Sequence, residues 1–344
     1  MLVKTVLVTG GAGFIGSNFI RHIFRKYPEY KIMVLDALTY AGNIENIPQE
    51  IRDSERFEFW YGDINNLDLM NDLVARSQVI VHFAAETHVA RSLYLNRVFF
   101  TTDVLGTQSV VNAVLKHSDT VDRFIHISTS EVYGSARVEP MDEGHPLEPT
   151  TPYAAAKAGA DRLVSSYVVS YGIPGVIIRP FNNYGPNQHL EKVIPRFITS
   201  AILGEPFTIH GDGSAARDWL YAEDTAEAVD RAIHAPLEKV RGEVFNLGTG
   251  VSISVIEIAR RIADIFDIAG ADFTFMEERF GQVQNHISST DKSETVLGFR
   301  AKTSFADGLQ KTIQWYKENR HLWEKQMTMR KVPVKSRDGN IIWY

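Results

Sequence analysis

The sequence predicts an α/β fold in which a doubly wound parallel sheet is joined by a smaller mixed α/β lobe. Short apolar runs rich in β-branched residues recur along the first half of the chain, with helix-length patterns between them. These runs are continuously apolar, as expected for strands that are covered on both faces. A glycine-rich turn follows the first run and opens a helical pattern. Together, these three observations predict a nucleotide-binding type of sheet.

Six of the apolar runs predict the strands of this sheet. They are KTVLVTG at 4–10, KIMVLD at 31–36, FEFWYGD at 57–63, VIVHFAA at 79–85, RFIHIS at 123–128 and GVIIRP at 175–180. Parallel neighbours need crossover connections, so the patterns between these runs are expected to be helices. Two of them, at 98–117 and 150–171, carry apolar residues beyond one face, which indicates burial on more than one side.

The chain changes character after the sixth strand. Turn-rich segments, PFNNYGPNQ and GDGSAARDW, flank a helical pattern in VIPRFITSAILG. Further helices are predicted in YAEDTAEAVDRAI, VIEIARRIADIF and FADGLQKTIQWYKENRHLW, and a strand in GEVFNLGTG. We therefore predict a dinucleotide-binding domain at 1–181, rejoined by about 217–247, with a substrate-binding lobe at 182–216 and 248–328. Residues 329–344 are expected to form an extended C-terminal tail.

Composition argues against several classes of function. The 344 residues carry a formal net charge of −6 and no Lys/Arg run, so nucleic acid is not an expected partner. No membrane association is expected, because we find no apolar run near the roughly 18 to 20 residues that span a bilayer, and the apolar start lacks a signal-peptide cleavage context. The absence of cysteine removes disulfides and thiolate chemistry and favours a cytoplasmic location.

The glycine-rich turn predicts a dinucleotide site. In TGGAGFIGSNF, Gly10, Gly13 and Gly16 would allow a tight turn and bring a pyrophosphate against a helix N-terminus. Asp36 ends the second strand, where a carboxylate can bond ribose hydroxyls and repel a 2′-phosphate, which favours NAD over NADP. The alternative is a turn that only packs a helix on the sheet. The predicted NAD contacts are Gly10, Gly13, Phe14, Ile15, Gly16, Asp36, Asp63, Ile64, Ala84 and Ala85, together with Tyr153 and Lys157.

A second motif predicts acid–base chemistry. Tyr153 and Lys157 are four residues apart in a helical pattern, so both lie on one face and the ammonium is expected to lower the pKa of the phenol. Thr129 places a hydroxyl at the end of the fifth strand. By itself such a Tyr–Lys pair is commonly a solvated surface pair.

His82 and His126, inside apolar strands, are expected to be hydrogen-bonded core residues, and no metal site is predicted.

These motifs together resemble the extended short-chain dehydrogenase/reductase family, which has the Rossmann fold and acts on nucleotide-linked sugars. Within it, the sequence is most similar to the dTDP-glucose 4,6-dehydratases. The matching segments are LDALTYAGNIENI, HFAAETHVARS, STSEVYG, PYAAAKAGAD, NNYGPNQHLEKVIP, GDGSAARDWLY and TIQWYKENRHLW. The resemblance extends as far as the predicted helix that ends near Trp323.

The resemblance implies a mechanism with NAD as a recycled cofactor. Tyr153 would take the proton of the sugar C4 hydroxyl while Thr129 bonds that oxygen, and hydride would leave C4. Glu131 would remove the C5 proton as water leaves C6, and hydride would then return to C6. Proton transfer of this kind is typically worth about 10²–10⁴-fold. For Glu131 alone, the competing interpretation is a surface carboxylate.

Three departures from the dTDP-glucose pattern leave the reaction and substrate open. Ser130 stands where those enzymes carry an acidic Asp, and serine is a poor proton donor. The order Thr-Ser-Glu also resembles GDP-mannose 4,6-dehydratases and UDP-glucuronate decarboxylases. Gln284 and Asn285 replace expected basic residues, and Ala90 replaces an Asp. A 4-epimerase or decarboxylase is therefore the second hypothesis, and a non-catalytic NAD-binding regulator the third.

The resemblance also implies substrate contacts and a homodimer. The candidate contacts for the nucleotide sugar are His88, Arg91, Asn182, Lys192, Arg217 and Arg279. For Arg217, the competing interpretation is a salt bridge with Asp218 or Asp212, since arginine suits phosphate binding and structural pairing alike. The helices at 98–117 and 150–171 would form a four-helix dimer interface with their copies, or would be buried within one subunit.

Overall fold

The computed structural model describes residues 4–268, 273–278, 283, 285–330, 333–335 and 338–343. Its strands are β1 Thr5–Thr9, β2 Lys31–Asp36, β3 Phe57–Tyr61, β4 Val79–His82, β5 Arg123–Ile127, β6 Gly175–Pro180, β7 Asn182–Tyr184, β8 Phe207–His210, β9 Ala216–Tyr221, β10 Val244–Leu247, β11 Ser252–Ser254, β12 Phe273–Met276, β13 Asn285–His286, β14 Pro333–Lys335 and β15 Ile341–Trp343.

The helices complete the element order. They are α1 Phe14–Lys26, α2 Gln49–Arg52, α3 Leu67–Ala75, α4 Val89–Ser92, α5 Asn96–Phe99, α6 Thr107–Lys116, α7 Pro152–Tyr171, α8 Val193–Leu203, α9 Ala222–His234, α10 Leu237–Val240, α11 Val255–Ile265, α12 Asp291–Leu297, α13 Phe305–Glu318 and α14 Arg320–Trp323. Short 3₁₀ turns lie at Ile44–Asn46, Ser130–Tyr133 and Glu324–Met329, and a π-helical segment at Phe100–Gly106 joins α5 to α6.

The large sheet has seven parallel strands in the order β10-β6-β5-β4-β1-β2-β3. The register places Val6 of β1 opposite Ile32 of β2 and Val79 of β4. The chain therefore reverses its direction of winding between β1 and β4, and ligands bind at such a switch point beyond the carboxyl ends of the strands. The α/β prediction is confirmed, and all six predicted strands are present.

The smaller sheets lie in the second half of the chain. Strand β9 pairs with β7, β11 and β13, while β12 pairs with β8 and β14 with β15. Strand β10 returns to the large sheet beside β6, and α9 packs against α1. A separate hydrophobic core around Tyr184, Phe197 and Trp219 fills the region of β7–β9, α8, α11 and α13. The predicted domain boundaries stay a prediction.

Local signals explain where the helices of the site begin. Thr151 is the N-cap of α7 and its hydroxyl accepts the Ala154 N–H at 3.2 Å, with Pro152 in the first turn. The helix therefore starts two residues later than predicted.

The predicted helix at 98–117 consists of α5, the π segment and α6 in succession. Within the described residues, Asn96–Lys116 is the one helical run long and apolar enough for a membrane span, and half of that window is buried in the protein.

Candidate active site

The glycine turn after β1 makes a close approach that a larger side chain would prevent. Gly10 has φ +68°, and a Cβ on it would lie 2.5 Å from the Ala84 nitrogen. A Cβ on Gly16 would lie 2.4 Å from the Gly10 carbonyl oxygen. Helix α1 begins directly after Gly13, with no acidic residue in its first turn. Its free N–H groups therefore face the cleft without a competing carboxylate.

The Asp36 carboxylate lies at the far side of this turn. It accepts the Ala12 N–H at 2.9 Å and the Leu38 N–H at 2.8 Å. Burial raises its pKa, while these two hydrogen bonds oppose the rise. Asp36 thus links the glycine turn to the end of β2, and its carboxylate lies beside the turn as a hydrogen-bond acceptor.

All of the predicted cofactor residues line one cleft. These are Gly10, Gly13, Phe14, Ile15, Gly16, Asp36, Asp63, Ile64, Ala84, Ala85, Tyr153 and Lys157. The cleft fits NAD: the glycines leave room that a Cβ would fill, the helix N-terminus suits a pyrophosphate, and the Asp36 carboxylate suits ribose hydroxyls.

The predicted catalytic residues meet at one end of the same cleft. Thr129 caps the 3₁₀ turn that carries Ser130 and Glu131, and its hydroxyl accepts the Glu131 N–H at 3.2 Å. From α7, the Lys157 Nζ donates to the Ile127 carbonyl at 2.7 Å. Thr129, Ser130, Glu131, Tyr153 and Lys157 all line the cleft. Strand β5 and helix α7 therefore bring together residues that are far apart in sequence.

The expectation that Lys157 lowers the pKa of Tyr153 is wrong for this structure. Burial raises the pKa of the Tyr153 phenol above its usual value, and the charges of Asp103 and Glu131 raise it further. A hydrogen bond with Thr129 is the opposing contribution. Lys157 is itself buried, which lowers its pKa against the attraction of Asp103 and Asp161. Desolvation and carboxylates, rather than the ammonium alone, set the charge of this pair.

A second cavity opens beside the cofactor cleft. Of the predicted substrate residues, it is lined by His88, Asn182, Lys192 and Arg217. Glu131, Asn182 and Lys192 line both cavities. Arg91 instead lies over the Tyr40 ring, 5.7 Å from its centroid, and Arg279 lies outside the described residues. The Glu131 carboxylate therefore stands where a molecule in the second cavity would meet the cofactor cleft.

Arg217 shares the second cavity with Glu131, and its guanidinium donates to the Ala216 carbonyl at 2.9 Å. Burial lowers the pKa of its guanidinium, and the Glu131 charge opposes that change. The Asp218 carboxylate accepts the Thr249 hydroxyl at 2.7 Å and the Ser288 hydroxyl at 2.6 Å. Arg217 thus lines the cavity, and its role as a phosphate contact stays a prediction.

Sequence reasoning missed a buried acidic centre beside the second cavity. Glu191 receives His88 Nε2 at 2.7 Å and Lys192 Nζ at 3.2 Å, and the Tyr40 hydroxyl at 3.2 Å. Lys192 also donates to the Thr87 carbonyl at 2.8 Å. Burial raises the pKa of Glu191, but Lys192 and the hydrogen bond with His88 outweigh it and hold the pKa far below its usual range. Glu191 is the first residue of the EKVIP segment, and it binds two of the predicted substrate contacts, His88 and Lys192.

Asp103 and Glu86 were also missed. Asp103 lies on the π segment and is 1% exposed, and Glu86 follows β4 and is 5% exposed. Their signal in the sequence is weak, because each is a single carboxylate that belongs to no motif.

The prediction that the strand histidines are hydrogen-bonded core residues holds in part. His82 bonds Thr9 at 2.7 Å and Thr107 at 3.0 Å, whereas His126 has no hydrogen-bond partner among the described residues.

Comparisons with known proteins agree with this geometry. The family model for GDP-mannose 4,6 dehydratase matches residues 7–312. The low-salt glycan biosynthesis protein Agl12 of Haloferax volcanii is 43% identical over 90% of this chain and 98% of its own length. A dTDP-glucose 4,6-dehydratase of Streptomyces niveus is 40% identical over 97% of this chain and 96% of its own. A dTDP-glucose 4,6-dehydratase of Streptomyces venezuelae, solved with NAD bound, superimposes with a TM-score of 0.89 at 38% identity, covering 94% and 99% of the two chains.

Proposed function

Because this chain belongs to the NAD-dependent nucleotide-sugar 4,6-dehydratases of the extended short-chain dehydrogenase/reductase family, we propose that it converts a nucleoside-diphosphate hexose into the 4-keto-6-deoxy sugar with Glu131 as its one catalytic carboxylate. The observation that carries this proposal is the position of Glu131, which lines both cavities. On the cofactor side it lies beside Thr129 and Tyr153, and on the substrate side it interacts with Arg217.

The first proton transfer falls to Tyr153. Its phenolate accepts the proton of the C4 hydroxyl, and the Thr129 hydroxyl bonds the same oxygen. When bound in the cleft, NAD would supply the hydride acceptor for C4 and the hydride donor for C6. Lys157, buried beside Tyr153, offsets the negative charge that a phenolate brings into the site. Asp36 and the N-terminus of α1 would hold the dinucleotide.

Glu131 carries the elimination. Once C4 is a ketone, the C5 proton is acidic, and the Glu131 carboxylate removes it. The same carboxyl then passes that proton to the departing C6 hydroxyl, which leaves as water. The Glu131 carboxylate takes a new proton from solvent and delivers it to C5 as hydride reaches C6. The proton that Tyr153 accepted from the C4 hydroxyl is released to solvent. One water is lost and no acid is required at Ser130, whose side chain is buried.

The substrate is proposed to lie in the second cavity with its diphosphate near Arg217. His88 is not proposed as the acid for C6. Its Nδ1 accepts the Arg91 N–H at 3.2 Å and its Nε2 faces Glu191 at 2.7 Å, so both ring nitrogens are engaged. We propose that His88, Lys192 and Asn182 orient the hexose instead. The contribution of Arg279 to diphosphate binding stays a proposal based on family resemblance.

The deciding experiment is mass spectrometry of products from dTDP-, UDP-, GDP- and CDP-sugars incubated with the enzyme and NAD in deuterated water. A product lighter by one water, with solvent deuterium at C5, is expected for one of these sugars and identifies the base and hexose. Loss of CO₂ would instead assign the decarboxylase reaction, and unchanged mass with inverted C4 the epimerase reaction. No turnover with any sugar would favour a non-catalytic NAD-binding protein.

We further propose a homodimer built on the helical run 98–117 and on α7. Large apolar side chains are exposed along this surface, including Phe100, Leu105, Val169 and Tyr171. Pairing two copies would cover them and form a four-helix interface. Light scattering should give twice the chain mass of 38.7 kDa, and the double change Leu105→Glu with Val169→Glu should reduce it to one chain. A cytoplasmic location and the two-lobe division also remain proposals.

A further inference from the structure

Asp103 is a buried carboxylate for which the proposed mechanism has no role. Its side chain is 1% exposed, and one carboxylate oxygen, Oδ1, accepts the Glu86 N–H at 2.7 Å. The other oxygen, Oδ2, is buried and has no hydrogen-bond partner among the described residues. Most buried polar atoms are hydrogen-bonded, so an unmatched oxygen of this kind requires an explanation.

The backbone that carries Asp103 is itself unusual. It belongs to the π-helical segment Phe100–Gly106, and π turns are rare and frequently occur at functional sites. This segment packs against α7, the helix that presents Tyr153 and Lys157. Asp103 lines neither cavity, whereas Thr102 beside it lines the cofactor cleft. Any effect of Asp103 on the reaction must therefore pass through its neighbours.

The neighbours that matter are Lys157, Tyr153 and Glu86. Burial raises the pKa of Asp103 to about 7, against the attraction of Lys157 and with the repulsion of Glu86. In turn, the Asp103 charge raises the pKa of both Lys157 and Tyr153. No other ionisable group among the described residues has a resolved effect on Asp103.

His82 also lies near this group but stays neutral. The Thr107 hydroxyl donates to the Asp103 carbonyl at 2.6 Å, so it must accept from His82 Nε2 at 3.0 Å. His82 is therefore the tautomer with a proton on Nε2, and its Nδ1 accepts from Thr9. Burial, together with the charge of Lys157, lowers the pKa of His82 to about 3. It does not titrate in the range where Asp103 does.

The second carboxylate near Lys157 is already neutralised. Asp161 accepts Arg179 Nε at 2.8 Å and Arg179 Nη2 at 2.9 Å, and it also bonds Arg162. Burial raises the pKa of Asp161, but these guanidinium groups outweigh it and lower the pKa. Among the carboxylates that act on Lys157, Asp103 is thus the one without an arginine partner.

We propose that Asp103 is a positioning residue of the dehydratase, which keeps the Lys157 ammonium charged beside Tyr153 through its partly satisfied carboxylate on the π segment. An isolated ammonium in so buried a place would lose its proton, and then the phenolate would lose its neighbouring cation. This inference rests on the proposed function, because its effect is measured on that reaction.

The test is the pH profile of kcat/KM for the isosteric variant Asp103→Asn. The amide oxygen can still accept the Glu86 N–H, so the change removes charge and little else. A nearby anion raises the pKa of phenol and ammonium alike, so both limbs of the bell-shaped profile should move to lower pH, by about one unit. Above the alkaline limb, kcat/KM should fall about tenfold, while KM changes less than about threefold.

The matched control is Asp230→Asn, which also removes a buried carboxylate, from the contact between α1 and α9. It should lower stability and leave both limbs in place. An unshifted profile in folded Asp103→Asn, or an equal loss of kcat/KM at every pH, would overturn the proposal. If that variant does not fold, Asp103→Ser is measured in its place and must give the same shift. A wild-type enzyme without turnover would instead overturn the proposed function, so the two failures are distinguishable.

Discussion

Two buried carboxylates of this enzyme, Asp103 and Asp230, have opposite surroundings. The Asp230 side chain is 1% exposed and receives four donors: His22 Nε2 at 2.8 Å, Lys26 Nζ at 2.6 Å, the Tyr27 hydroxyl at 2.9 Å and His234 Nδ1 at 2.8 Å. Burial raises its pKa, but these donors outweigh it and hold the pKa far below its usual range. Asp103, with one N–H donor, has its pKa raised to about 7 by burial.

The difference separates carboxylates that stabilise the fold from those that serve chemistry. A fully partnered carboxylate is held in its charged form, and removing it destabilises the fold because its buried donors lose their acceptor. An under-partnered one is costly, and it can change its charge near neutral pH. Glu131 differs from both in its position, because it lines both cavities and shares the second one with Arg217. Four measurements sharpen this contrast.

The largest effect is expected for Glu131→Gln, at the open carboxylate. The amide cannot take the C5 proton, so kcat should fall by about 10²–10⁴-fold while the C4 oxidation half-reaction survives. Stopped-flow absorbance should then show reduced nicotinamide accumulating with substrate. A variant that dehydrates at near wild-type rate would remove Glu131 from the mechanism and require another base in the cavity.

The next effect concerns stability at the fully partnered carboxylate. Asp230→Asn leaves Lys26 and two histidines without their anion, and breaking a buried pair costs about 3–5 kcal/mol. Urea unfolding at neutral pH should give a loss near the lower end of that range, since Lys26 is half exposed. The partial reaction at C4 should be unaffected. A loss below about 0.5 kcal/mol would mean that the donors find water as readily as they find Asp230.

The pH dependence of this stability follows from the sign of the pKa shift. Asp230 has a lower pKa in the folded protein than in the unfolded chain, so its contribution is present above the unfolded value of about 3.9. The contribution is lost as pH falls below that value. The difference in unfolding free energy between wild type and Asp230→Asn should therefore shrink on going from neutral pH to about pH 3. A constant difference would assign the effect to packing rather than to charge.

The smallest effect is expected for Ser130→Ala, next to Glu131. Ser130 has no proton to give at neutral pH, so kcat should change by less than about threefold. Product analysis by the same mass spectrometry should still show loss of water. A decrease of a hundredfold or more would show that the serine hydroxyl, and not Glu131 alone, serves the departing C6 oxygen.

The sequence predicted most of the fold because its signals are local. Apolar runs, the glycine turn and the Thr151-Pro152 start of α7 each depend on neighbouring residues, and the cofactor residues follow from them. The site was predictable where a motif exists, as for Tyr153 and Lys157. Asp103 and Glu191 were not predictable, since their importance comes from desolvation and from partners distant in sequence. The pKa of Tyr153 was wrongly predicted for the same reason.

The π segment Phe100–Gly106 also sets the rotational phase of the helices on either side of it. Each residue of an α-helix turns the next side chain by about 100°. Asp103 and Gly106 are buried in this segment, while Phe100 and Leu105 point outward, and Val110 and Val114 of α6 then fall in the core. Deleting one residue here would rotate α6 by roughly a quarter turn against α7. The length of this π-helical segment thus couples the position of the Asp103 charge beside the active site to the position of the exposed apolar side chains.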